Sequence, residues 1–225
     1  MYLLRPDLLA FPEHRIANRE GLLAIGGDLS VPRLLLAYRS GIFPWTDDPL
    51  TWWSPDPRAI FEIETFQPPR RLEPKLRRGV FEISFDRDFA AVIRACAEPA
   101  SGRESTWISP RFIDAYIELH RKGCAHSVEV WQEERLVGGM YGVALGGFFA
   151  GESMFHRATD ASKIALCHLM ARLRAHGFTL FDTQVLSPLT ARLGAIEIRR
   201  ADYLHRLASA LRQPARFSDK SPPRP

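Results

Sequence analysis

Runs of alternating apolar and polar residues recur along this chain, separated by stretches whose apolar residues fall three and four apart. Ala59 to Ile63 and Val80 to Phe85 alternate with a period of two, which predicts strands. Phe89 to Ala97 and Pro110 to Lys122 carry helical spacing instead. His126 to Trp131 predicts a strand, with a hairpin turn at Glu133-Glu134 into a second strand over Leu136 to Ala144. A Gly146-Gly147 turn leads into a third over Phe148 to Glu152. Asp160 to His176 predicts a long helix, with Ile164, Leu166, Leu169, Met170 and Leu173 on its apolar face and Gly177 ending it. Thr179 to Thr183 predicts a short buried strand, followed by a short helix near Leu189 and a last helix from Ala201 to Leu211.

Hairpins followed by a helix and a further strand predict an α+β fold with a mixed, mainly antiparallel sheet. The order fits an acetyltransferase-like (GNAT-type) architecture, an analogy of fold that carries little about function. The first sixty residues differ. Gly26 to Ser30 reads as a tight turn into a helix over Arg33 to Ser40, with Ser30 as N-cap, Pro32 in the first turn and Gly41 as C-cap. Ile42-Phe43-Pro44-Trp45 and Trp52 to Arg58 follow, and their prolines block a continuous helix or central strand. The pattern divides the chain into a small loop-rich N-terminal domain over residues 1–59, an acetyltransferase-like domain over 60–217, and a polar, proline-rich disordered tail over 218–225.

Apolar runs are too short for a transmembrane helix, and Met1 to Asp7 lacks the apolar core of a signal peptide, so a cytoplasmic protein without a membrane partner is expected. With no dimerisation signal, a monomer is expected too. Cys96, Cys124 and Cys167 are odd in number and widely spaced, which predicts neither a disulfide framework nor a zinc site. The net charge of +4 is mild, but it is clustered. Arg70, Arg71, Lys75, Arg77 and Arg78 fall in one stretch relieved by Glu73; Arg199, Arg200, Arg206, Arg212 and Arg216 form a second run. Such patches either attract phosphate backbones or form a solvated face, and charge alone leaves both open.

Familiar motifs fail. Gly151-Glu152-Ser153-Met154-Phe155 begins like a nucleophile elbow but has Phe155 where a second glycine is needed. Gly138-Gly139-Met140-Tyr141-Gly142 lacks the spacing and following helix of a dinucleotide fingerprint, and there is no Walker lysine. The histidines form no metal pair, and His126 among apolar neighbours fits a structural role better than a catalytic one. Phe155 to Lys163, the approach to the long helix, has no glycine, so the turn that would cradle the pyrophosphate of coenzyme A is missing. Neither cofactor nor metal is expected.

Three blocks carry more. The first is Glu20 to Ser30, continuing through Gly41-Ile42-Phe43-Pro44-Trp45 and Trp52 to Arg58. The second joins Ala125 to Trp131, Leu136 to Gly142, Gly151 to Phe155 and Ala161-Ser162-Lys163. The third is Asp182-Thr183-Gln184 followed by Leu193-Gly194-Ala195. In this order they resemble the leucyl/phenylalanyl-tRNA–protein transferases, from about Phe11 to about Leu207.

The resemblance implies transfer of leucine or phenylalanine, less often methionine, from aminoacyl-tRNA to acceptor proteins beginning with lysine or arginine, which marks them for degradation. The donor ester is already activated, so neither ATP nor metal is implied. Asp182 matches the family's catalytic aspartate. On its residues alone it is equally an ordinary turn carboxylate. Gln184, two residues on along the strand, is placed to orient Asp182 or to bind the developing oxyanion, and Glu152 to hold the amine or the acceptor's cationic side chain. Met140, Phe149, Met154, Leu166, Leu169, Leu173 and Phe181 are implied as the donor side-chain pocket, although an apolar stripe at this spacing is also plain core. Trp45 and Trp107 match tryptophans beside the terminal adenosine, and Arg70, Arg71, Lys75, Arg77 and Arg78 become candidates for tRNA phosphates. Thr183, Leu189 and Arg192 depart from the family pattern, which has cysteine, histidine and serine there. Arg192 suggests an altered acceptor preference, and a catalytically silent tRNA-binding protein is the reading outside enzymes.

Overall fold

The computed structural model describes residues 2–99 and 106–218. Its first sheet is built from β1 (Tyr2–Leu4), β2 (Leu22–Gly26), β3 (Phe43–Asp47) and β4 (Leu50–Trp53), in the order β1-β2-β4-β3. Helix α1 (Val31–Arg39) packs against β3. Ser30 precedes its first turn, Pro32 lies within that turn, and Gly41, at φ +72°, turns the chain into β3. The segment expected to be loop-rich is therefore a four-stranded sheet. Strands of three to five residues interrupted by glycine and proline leave no period to read. Pro44 is tolerated because β3 is an edge strand, where a missing N–H breaks no interior ladder.

The second sheet begins with β5 (Arg58–Phe61). Helix α2 (Glu73–Arg78), strand β6 (Glu82–Phe85), and helices α3 (Phe89–Ala97) and α4 (Pro110–Arg121) follow. The side chain of Asp88 caps α3 through the amide of Ala91, and that of Ser109 caps α4 through Phe112. Strands β7 (Ala125–Gln132), β8 (Arg135–Leu145) and β9 (Phe148–His156) form a meander. Helix α5 (Ala161–Ala175), strand β10 (Leu180–Gln184), helix α6 (Pro188–Arg192), strand β11 (Ile196–Ile198) and helix α7 (Arg200–Ala210) complete the fold. The seven-stranded order is β11-β5-β10-β9-β8-β7-β6, antiparallel throughout except for β9 with β10. This is the expected α+β fold with a mixed, mainly antiparallel sheet. Residues 219–225 of the expected tail lie outside the described residues.

Alternation along the strands sends one set of side chains to each face. Tyr141, Val143, Phe148, Ala150 and Leu180 pack with α1, α3, α4 and α7. Val128, Val130, Met140, Phe149 and Phe181 pack with α5. Helix α5 comes so close to β8 that a Cβ on Gly138 would stand 2.5 Å from that of Ala161, so only glycine fits there.

The site is positioned by a break in this regularity. Strands β9 and β10 pair only through Leu180/Phe148, Phe181/Phe149 and Asp182/Ala150, and then part. At the parting each carries one extra residue. Tyr141 and Gly142 on β8 face Ser153 and Gly151, leaving Glu152 over; Ile60 and Ala59 on β5 face Asp182 and Gln184, leaving Thr183 over. Bulges of this kind re-aim side chains and commonly border active sites.

Candidate active site

Glu152 is 9% exposed and surrounded by donors. Tyr38 of α1 donates to its Oε1 at 2.8 Å, Tyr116 of α4 to its Oε2 at 3.2 Å, and Gln184 Nε2 to its Oε1 at 2.9 Å. The hydroxyls of Tyr38 and Tyr116 also bond to each other. Burial pushes the Glu152 carboxyl up to about 7, against these hydrogen bonds, which favour its ionised form; the negative charge of Asp182 adds to the rise. Burial likewise pushes the phenols of Tyr38 and Tyr116 well above their usual range. Glu152 is thus a carboxyl poised between its two protonation states near neutrality, as a general base requires.

Asp182 sits in a different environment. It is fully buried, and the Arg58 guanidinium grips it in a fork, Nε to Oδ1 at 2.8 Å and Nη2 to Oδ2 at 2.6 Å. The Tyr203 hydroxyl donates to Oδ2 at 2.8 Å, and the Gln184 backbone N–H to Oδ1 at 2.8 Å. Burial alone would lower the pKa of Arg58, but Asp182 outweighs it and raises the value. Arg58 also donates to the Gly41 carbonyl at 3.0 Å and lies over the rings of Phe43 and Tyr203. Gln184, at φ +67°, is held in the left-handed region by this arrangement. Its amide therefore serves Glu152, and only its main chain serves Asp182.

A cavity of about 230 Å³ opens where the strands part. Glu152, Gln184 and Thr183 meet apolar Phe61, Met140, Met154, Leu166 and Phe181 in its lining, with Leu189 and Thr190 of α6 across from them. Of the apolar residues expected in a donor pocket, Met140, Met154, Leu166 and Phe181 line it. Phe149, Leu169 and Leu173 do not: all three are buried in the core around α5. A second cavity, of about 190 Å³, is lined by Phe43, Pro44, Trp45 and Trp107 and shares Thr183, Gln184 and Val185 with the first. Trp45 is 37% exposed, and Trp107 meets Phe112 edge-on.

In the basic run, Arg70, Arg71, Arg77 and Arg78 are exposed. Lys75 instead bonds Asp160 at 2.8 Å, and Lys163 holds the same carboxylate at 2.8 Å. Those two lysines hold the Asp160 carboxyl down to about 2. Asp160 is the N-cap of α5, so the helix end at which coenzyme A would need its pyrophosphate held carries a carboxylate instead. Arg71, Lys163 and Arg192 line a third cavity, which meets the first at Leu189. His126 bonds Asp86 at 2.8 Å and stacks on Phe217, the structural role expected of it.

A family model described as leucyl/phenylalanyl-tRNA protein transferase matches residues 60–208, and one for its N-terminal domain matches residues 27–56. The leucyl/phenylalanyl-tRNA–protein transferase of Syntrophobacter fumaroxidans is 54% identical over 203 residues, covering 89% of this chain and 87% of the relative. That of Anaeromyxobacter sp. (strain K) is 50% identical over 208 residues, covering 91% and 89%. The chain belongs to this transferase family. Solved structures resemble it more distantly. L-PGS from Bacillus licheniformis overlaps with a TM-score of 0.45 at 16% identity, across 75% of this chain and little more than half (56%) of that one.

The residues that hold Asp182 and Glu152 in place carry little signal of it in the sequence. Arg58 closes the block Trp52 to Arg58, yet its partner is 124 residues away. Tyr38 reads as one more apolar position on α1, and Tyr116 likewise on α4; nothing local marks their hydroxyls as partners of Glu152.

Proposed function

We propose that this chain transfers leucine or phenylalanine, and less readily methionine, from aminoacyl-tRNA to the N-terminal lysine or arginine of acceptor proteins, marking them for degradation. The observation that carries this reading is Glu152: a carboxyl titrating near neutrality in the wall of an apolar cavity, beside a second cavity lined by two tryptophans. The donor's side chain enters the first cavity against Met140, Met154, Leu166, Phe61 and Phe181. Burying such a side chain contributes about 1.5–3 kcal/mol. The terminal adenine lies against Trp45 and Trp107, and the exposed Arg70, Arg71, Arg77 and Arg78 meet tRNA phosphates without reading bases.

In the transfer the acceptor's neutral α-amine attacks the ester carbonyl. A C–N bond forms and the bond to the ribose oxygen breaks; the amine proton passes to Glu152, which gives it up to the departing ribose oxygen and is left ionised for the next turnover. Glu152 acts as the general base, and Gln184 and the two tyrosines orient it. Asp182 acts through Arg58, fixing the β10 backbone that carries Gln184. Both substrates are held before reaction, which supplies much of the acceleration. The protein acts in the cytoplasm as a monomer and needs no metal or cofactor. Among the described residues no helix is long and apolar enough to cross a membrane.

The test is transfer of label from radiolabelled leucyl-tRNA to a peptide beginning with arginine. Label on the peptide, and its loss in Glu152→Gln, supports the reading. Tight binding of leucyl-tRNA with no label on any peptide refutes it and favours a silent tRNA-binding protein.

A further inference from the structure

A donor whose adenine lies in the tryptophan-lined cavity and whose side chain fills the apolar one must carry its ribose and ester across the boundary between them. Three residues line both cavities: Thr183, Gln184 and Val185. Two of them have no hydroxyl to offer. Gln184 Nε2 already donates to Glu152, and its backbone N–H to Asp182. Val185 has no polar side chain, and its N–H donates to the Thr183 carbonyl at 2.8 Å. Thr183 is different. Its Oγ1 is buried and, among the described residues, has no hydrogen-bond partner. Native proteins rarely leave such a group unmatched, because nothing repays its loss of water.

Thr183 is also the extra residue of the β10 bulge, so it escapes the pairing that fixes its neighbours. Rotation about its Cα–Cβ bond moves Oγ1 between staggered positions without moving the backbone. A hydroxyl both donates and accepts, and so does the free ribose hydroxyl next to an aminoacyl ester.

Resting on the aminoacyl-tRNA reading above, we propose that Thr183 Oγ1 hydrogen-bonds the free ribose hydroxyl beside the ester of the donor's terminal adenosine. The contact holds the ester at the boundary, with its carbonyl turned toward the cavity that contains Glu152. Thr183 is then a substrate-contacting residue that reads the ribose, distinct from the tryptophans that take the base.

The experiment measures donor kcat/KM at saturating acceptor peptide for the wild type, Thr183→Val and Thr183→Ser. Two leucyl-tRNAs are used, one ending in adenosine and one in 2′-deoxyadenosine. The valine variant is expected to lose about three- to tenfold on the ribose donor, with serine close to wild type. On the deoxy donor the wild type drops by a similar factor and the valine variant drops no further. An equal loss on both donors, or no loss on either, overturns the proposal. Should the valine variant fail to fold, Thr183→Ala carries the same comparison. Failure of the wild type to transfer from either donor instead overturns the functional reading, and is told apart by that control.

Discussion

Arg58 and Asp182, 124 residues apart in sequence, meet as a fully buried fork with two charge-assisted hydrogen bonds of 2.8 and 2.6 Å. The fork joins the start of β5 to the end of the parallel strand pair, and through the Gly41 carbonyl it also ties in the turn after α1. The same carboxylate accepts from Tyr203 of α7 and from the backbone of Gln184, so three elements converge on it.

Breaking one side of that fork leaves an uncompensated buried charge. Arg58→Met and Asp182→Asn should each destabilise the protein by about 3–5 kcal/mol in denaturant unfolding at pH 7. Arg58→Met combined with Asp182→Leu should lose much less than the two single changes added together. Additive losses would mean the ion pair contributes no coupling.

The pH dependence of activity should follow Glu152. Its carboxyl titrates near 7, and only the ionised form accepts a proton, so kcat/KM should rise as pH increases through about 7. Glu152→Gln should lose about 100-fold or more and lose that limb, keeping only the rise due to the acceptor amine. An unchanged profile in the variant would remove Glu152 from the chemistry.

Stability should run in the opposite direction. The folded carboxyl titrates at about 7, above its ordinary value of 4.5, so the protein favours the protonated form. This contribution is fully present below about 4.5 and is lost as pH rises through about 7, amounting to about 3 kcal/mol. Glu152→Gln should lack this decline, which parallel melts of the two proteins between pH 4.5 and 8 would detect.

Filling the donor cavity should alter choice before rate. Met154 lines it alongside Leu166 and Phe181, and Met154→Phe narrows a space of about 230 Å³. The ratio of phenylalanine to leucine transferred should fall about tenfold, with leucine transfer largely kept. Competition between the two charged tRNAs measures this ratio, and an unchanged ratio would move the donor side chain elsewhere.

Trp45→Ala should raise KM for leucyl-tRNA about five- to a hundredfold, through loss of one stacking surface, with a smaller effect on kcat. A change confined to kcat would take the adenine away from this tryptophan.

Where side-chain periodicity governs an element, the sequence reads well. Helix α3 spans Phe89 to Ala97, as its spacing predicts, and the β7–β8–β9 meander and α5 lie where alternation and helical period put them. The N-terminal sheet is illegible because its strands are too short to repeat, and Gly26 and Pro44 disguise two of them. Leu166, Leu169 and Leu173 share one face of α5, which at this spacing fits pocket or core; only Leu166 reaches the cavity, because the helix outruns the gap it borders and Leu169 and Leu173 cover core. Glu152, Asp182 and Gln184 do come together, but the division of labour among them depends on Arg58, Tyr38 and Tyr116, whose contacts span 36 to 124 residues and leave no local trace.

The two unpaired residues at the parting of β9 and β10 make chain length itself a requirement. Removing position 152 would close the β9 bulge and leave Ser153 opposite Tyr141 and Met154 opposite Met140, where they already stand. Removing position 183 would do the same to β10, with Gln184 still opposite Ala59. A substitution here changes one side chain. A single deletion instead removes the bulge itself, so the sheet would heal without a slip and lose the irregularity on which the site is built.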